Sequence, residues 1–135
     1  MDITLYDDLF NAVETYLGNE YPSVKVVHYA PNDPKYPIVV LNESRNTPTY
    51  VARQRRQTAA SMGYSFNIYA SNVGTQTQQS IARTIAKKID DFMFLLNGIS
   101  RTSYNEFANV DGQGKVYRVT MVYSMQYFEN KKIVY

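Results

Sequence analysis

Two stretches of the chain repeat their apolar residues at three- and four-residue spacing, and two others alternate apolar with polar positions. Tyr6, Leu9, Phe10, Val13, Tyr16 and Leu17 form one stripe, which predicts a first helix. Asp2 is positioned to cap it, Asp7 and Asp8 fall near the positive end of its dipole, and Gly18 is expected to stop it. Ile81, Ile85, Ile89, Phe92, Met93 and Leu96, with Ala82 and Ala86 beside them, predict a second helix. A polar lead-in, Asn72 to Gln76, precedes it, and Gly98 is its natural terminator. Met62, Tyr64, Phe66, Ile68 and Ala70 alternate with Gly63, Ser65, Asn67 and Tyr69, the period of a strand with two different faces. Tyr117, Val119, Met121, Tyr123, Met125 and Tyr127 repeat that pattern near the end of the chain. Val24 to Tyr29 reads as a short strand, and the continuous apolar run Ile38 to Leu41 as a strand buried on both sides. The loop APNDPKYP (30–37), with three prolines, separates them. Ser100 to Val110 is a polar, moderately β-prone strand, which the turn DGQG (Asp111 to Gly114) joins to the last one.

The predicted order is helix, three strands, helix, two strands. That order implies an α+β fold: a two-layer sandwich, its sheet mostly antiparallel, with two helices packed on one face. The 135 residues make one domain, spanning 1–135, with no internal repeat or low-complexity linker. Two parts fall outside the regular pattern. The polar segment SRNTPTYVARQRRQ, Ser44 to Gln57, is expected to form a long arm between strands, far longer than the two to five residues or so of a common hairpin loop. The tail 128–135, FENKKIVY, is short, basic and partly apolar, suited to docking on a neighbouring subunit or to fraying.

Charge sharpens the first of these. Between Glu43 and Asp90 there is no acid, yet Arg45, Arg53, Arg55, Arg56, Arg83, Lys87 and Lys88 supply seven of the chain's 14 cations. Acids gather instead at the start, as Asp2, Asp7, Asp8, Glu14 and Glu20. In a self-associating protein, such polarity sets unlike charges opposite each other across a repeated contact. The 13 tyrosines, six phenylalanines and absent tryptophan give more aromatic area than a core of this size needs, so some are expected to face a partner. With no cysteine there is no disulfide, thiolate metal site or cysteine nucleophile. The acidic start MDITLYDD lacks the form of a secretory signal, and no apolar run has the length of a membrane span. A soluble protein made in the cytoplasm, with no membrane partner, is the expectation.

Catalytic motifs are missing. The one histidine, His28, would share a strand face with Val24 and Val26, the place of a packed or edge imidazole rather than a base. The acid pairs Asp7-Asp8 and Asp90-Asp91 lie on helices, where sequence neighbours diverge, so both read as solvated faces. DGQGK lacks the later ligands of a calcium loop, and its glycines precede a strand rather than the helix a phosphate loop requires. No enzyme activity, cofactor or metal is therefore expected. Arg53, Arg55 and Arg56 beside Tyr50 could hold phosphates and stack a base. The pI of about 8.7 is low for a nucleic-acid module, however, and the strand aromatics do not form an RNA-binding motif.

Several phrases converge on one family. KYPIVVLNESRNTP leads through a strand to the polar arm, YSFNIYASN precedes QSIARTIAKKIDDFM, and SRTSYNEFANV with KVYRVTMVYSMQY closes the chain. In this order, and behind an N-terminal helix, the chain resembles the tail-terminator and tail-completion (head–tail joining) proteins of tailed bacteriophages. The similarity spans nearly the whole sequence, on diffuse motifs. It implies a structural virion protein of the tail or neck, assembled in the host cytoplasm as a homo-oligomeric ring, commonly a hexamer. Such a ring caps the tail tube protein, ends its polymerisation and docks the head connector or neck protein. Arg45, Tyr50, Arg53, Arg55 and Arg56 are then the expected contact residues, meeting an adjacent subunit or, non-specifically, DNA in the lumen. A head-side connector of the same junction and a small sequence-independent nucleic-acid-binding domain are the alternatives.

Overall fold

The computed structural model describes residues 5–48, 59–96 and 98–128. Its elements follow the predicted order: α1 (Leu5–Glu20), β1 (Lys25–Val27), β2 (Ile38–Pro48), β3 (Ala59–Ala70), α2 (Gln78–Phe94), β4 (Ile99–Phe107) and β5 (Tyr117–Phe128). Both helices lie on one side of a five-stranded sheet, so the molecule is an α+β two-layer sandwich. The strand order is β1-β2-β3-β5-β4, with β1 parallel to β2 and every other neighbour pair antiparallel.

Period-two patterning sorts the strand residues between the two faces. Met62, Tyr64, Phe66, Ile68 and Ala70 of β3 and Val119, Met121, Tyr123 and Met125 of β5 turn toward the helices and are buried. Val26, Val39 and Leu41 extend that surface to the β1 side. From the helices, Leu9, Phe10, Val13 and Leu17 of α1 and Ile81, Ile85, Ile89 and Met93 of α2 complete the core. Tyr16 and Phe92, with ring centroids 4.9 Å apart, close the seam between the helices. Phe66 meets Tyr123 edge-on at 5.6 Å, the arrangement the ring quadrupoles favour.

Helix ends follow local chemistry. Thr77 caps α2, its hydroxyl accepting from the Ser80 N–H at 3.2 Å. Past the other end, Gly98 holds φ near +80°, the left-handed geometry expected of a helix terminator. Gly18 does not stop α1. The helix continues to Glu20, and Gly18 lies on its exposed side, where the missing side chain costs no packing. The proposed cap Asp2 lies outside the described residues.

The largest departure concerns β2. Its apolar run, Ile38 to Leu41, is buried on both faces as expected, but the strand does not end there. It pairs with β3 through Asn46↔Met62 and Thr47↔Ser61 to Pro48↔Ala60, with a bulge between Glu43 and Arg45. The first five residues of the predicted arm, Ser44 to Pro48, are therefore strand. A ladder is held by backbone groups, and a sheet with one uncovered face accepts polar side chains there, so polarity alone is no stop signal. Gly63, opposite the bulge, is buried where the chains approach most closely. A Cβ at Gly63 would stand 2.8 Å from Ser44 Oγ and 3.1 Å from Arg45 Cβ.

Candidate functional site

The uncovered face of the sheet, the one on which no described helix packs, is read directly from the register. Ile38 and Val40 of β2 are shielded at one margin, and beyond them the face presents Asn42, Ser65, Asn67, Tyr69, Thr120, Val122, Ser124, Ser103 and Asn105. Thr120 Oγ1 donates to Asn67 Oδ1 at 2.7 Å across two strands, which ties the middle of this face together. Its cations are Lys25, Arg45 and Arg118, the last with its guanidinium 4.3 Å from the centroid of the Phe107 ring. Both carboxylates among the described strand residues, Glu43 and Glu106, point to the helix side instead.

Of the predicted contact residues, Arg45 stands exposed on β2 beside the bulge and opposite Gly63. Tyr50, Arg53, Arg55 and Arg56 lie outside the described residues, as does the tail from residue 129 onward. The ladder that leads to them is long. β3 and β5 remain paired for three residues past Ile99↔Met125, the last β4 pair, ending at Ala59↔Phe128. β2 and β3, of 11 and 12 residues, thus stay paired beyond the β4 edge.

In the second half of the acid-free stretch, Arg83 finds its counter-charge on β4 and Lys87 finds its own within α2. Arg83 Nε donates to both Glu106 oxygens, at 2.8 and 3.1 Å, and Lys87 pairs with Asp91 one helical turn on. Glu106 also accepts from the Tyr117 hydroxyl at 2.6 Å and the Tyr104 hydroxyl at 3.1 Å. Burial works to raise the Glu106 carboxyl, but the bonds from Arg83, Tyr117 and Tyr104 outweigh it and hold it below the usual carboxylate range. Asp90 is not simply a solvated acid. It accepts from the Tyr123 hydroxyl at 2.6 Å and meets Arg101 at 3.3 Å, and burial followed by that bond pushes the Tyr123 phenol up. Glu106 and Asp90 are thus two latches joining β4, β5 and α2. The sequence offered no signal for them, since every partner but Tyr104 sits on a different element.

His28 lies just past β1, exposed, with its ring stacked on Phe10 at 3.8 Å. The Tyr6 hydroxyl donates to the Leu41 carbonyl and stands 2.8 Å from His28 Nδ1. Burial, followed by the nearby Asp7 and Glu43, pushes the Tyr6 phenol up to about 12. The imidazole is an edge group held by packing rather than the strand-face residue expected from alternation. Next to it runs a groove of about 740 Å³ along β1, walled by Phe10 and Glu14 of α1 and by Tyr29, Pro31, Asp33 and Tyr36 of the proline-rich loop.

Among the described residues, no group of three or more His, Cys, Asp or Glu side chains could hold a metal ion. No described helix is long and apolar enough to cross a membrane. No protein-family model matches the chain, and its sequence matches no curated protein.

Proposed function

We propose that the chain is a structural protein of a bacteriophage head–tail junction, a ring subunit that caps the tail tube, ends its growth and joins tail to head. The observation that carries this reading is the β2–β3–β5 ladder. It keeps β2 paired as far as Pro48↔Ala60 and leaves Arg45 exposed beside the bulge, a charged position that serves a neighbour rather than the subunit's own core. Arginine and tyrosine are favoured anchors at such contacts. The resemblance in element order and strand phrasing supplies the identity of the assembly, and the two-layer fold agrees with it.

Light scattering and negative-stain images of the protein alone, at low and moderate salt, test the ring. Annular particles of uniform diameter are expected, and a strict monomer at every concentration would sink the reading. Replacing Arg53, Arg55 and Arg56 together by Ala should leave folding intact and impair assembly of infectious particles. Steep salt-dependent retention of the native chain on DNA, lost in that triple variant, would instead favour a nucleic-acid-binding domain.

A further inference from the structure

Both edges of the sheet are open along the described strands: β1 at one side and β4 at the other. We propose that subunits join edge to edge, the β4 strand of one copy pairing with β1 of the next, so that the sheet runs on through the assembly. This rests on the ring reading above and names its contact.

Strand direction favours the match. Following the pairings across the sheet, β1 and β2 run one way, β3 the other, β5 with β2, and β4 against it. A neighbour related by rotation about an axis parallel to the strands keeps those directions. Its β4 then lies antiparallel to β1, the better-paired form of ladder. Because the two surfaces differ and lie on opposite sides of the subunit, the contact is head-to-tail, the kind that closes into a ring.

The β1 edge is shaped to receive a strand. Lys25 N–H donates inward to the Pro37 carbonyl at 3.4 Å, so by alternation the Val26 N–H and C=O turn outward, into the groove between α1 and the proline-rich loop. Its aromatic walls include Tyr29, 78 % exposed, while β4 presents Tyr104 and Phe107. Charges line both sides. The groove itself mixes Glu14 and Asp33 with Lys25 and Lys35. The β4 flank carries Arg83, Lys87 and Arg101, each well exposed beside its own ion pair. The brevity of β1, only three residues, limits indiscriminate edge pairing and leaves selection to the groove and the charges.

The absence of native cysteine makes the test clean. Val27→Cys is combined in turn with Ser100→Cys, Ser103→Cys, Asn105→Cys or Phe107→Cys, a set that spans the possible registers, and the protein is oxidised. Within one subunit β1 and β4 lie four strand spacings apart, about 19 Å, far beyond the roughly 7 Å a disulfide tolerates between Cα atoms. Any bond is therefore between copies. At least one pair should yield a ladder of covalent multimers that collapses on reduction, its top rung giving the ring size. Single variants should stop at dimers, and Val27→Cys with the central-strand Thr120→Cys should do no better. Annular particles in the images without a ladder from any pair would overturn the edge contact and leave the ring standing. Neither annuli nor ladder would overturn both.

Discussion

On the helix side of the sheet, one cross-strand row reads Leu41, Phe66, Met121 and Tyr104; the next row, on the other face, reads Asn42, Ser65, Val122 and Ser103. The strands are the same and the residues are adjacent, yet Phe66 is fully buried while Asn42 is exposed. The covered face holds most of the apolar contact between sheet and helices, so it sets the free energy of folding. The uncovered face needs only to avoid breaking the ladder. That freedom is where a contact surface can be written, and there the strands carry Lys25, Arg45 and Arg118 without a carboxylate among their described residues.

The comparison breaks most readily at the core. Phe66→Ala removes a fully buried ring and its edge contact with Tyr123, and should cost about 3–5 kcal/mol, measured by urea unfolding. A loss near 1 kcal/mol would mean that the helices are not the chief cover of this face.

Much of this division was legible in advance. Alternation in β3 and β5 marks the faces because one side meets helices and the other does not, and the α2 stripe identifies its buried side by the same logic. What sequence could not supply was partner identity at a distance. β5 inserts between β3 and β4, an order no local pattern encodes. The polar run Ser44 to Pro48 looked like an arm because its pairing rests on backbone groups and not on side chains. Asp90 looked solvated because its partners, Tyr123 and Arg101, come from two distant strands. For the contact site, Arg45 is found exposed on β2, while the other four predicted residues lie outside the described chain.

A smaller effect probes the edge of the covered face, where Glu106 replaces apolar contact with hydrogen bonds. Its carboxyl is held below the ordinary range, so its contribution to stability is fully present above the unfolded-state value of about 4.3 and is lost as pH falls through the lower folded value. Glu106→Gln keeps the shape but forfeits the charge-assisted bonds, at a cost of about 1 kcal/mol near neutral pH. The gap between native and variant stability should shrink steadily below about pH 4. A gap independent of pH would show that the latch acts by packing alone.

The smallest expected effect lies on the uncovered face. Thr120→Val preserves the β-branched shape and the half-buried position while deleting the bond to Asn67. Asn67 is also half-buried on a face that no described helix covers, so water can replace the lost donor. The change should stay within about 0.5 kcal/mol in the same unfolding measurement. Were Thr120→Val to cost more than about 1.5 kcal/mol, the Thr120–Asn67 pair would be acting as a buried unit. The uncovered face would then contribute to folding itself, and its polar composition could no longer be attributed to freedom from packing.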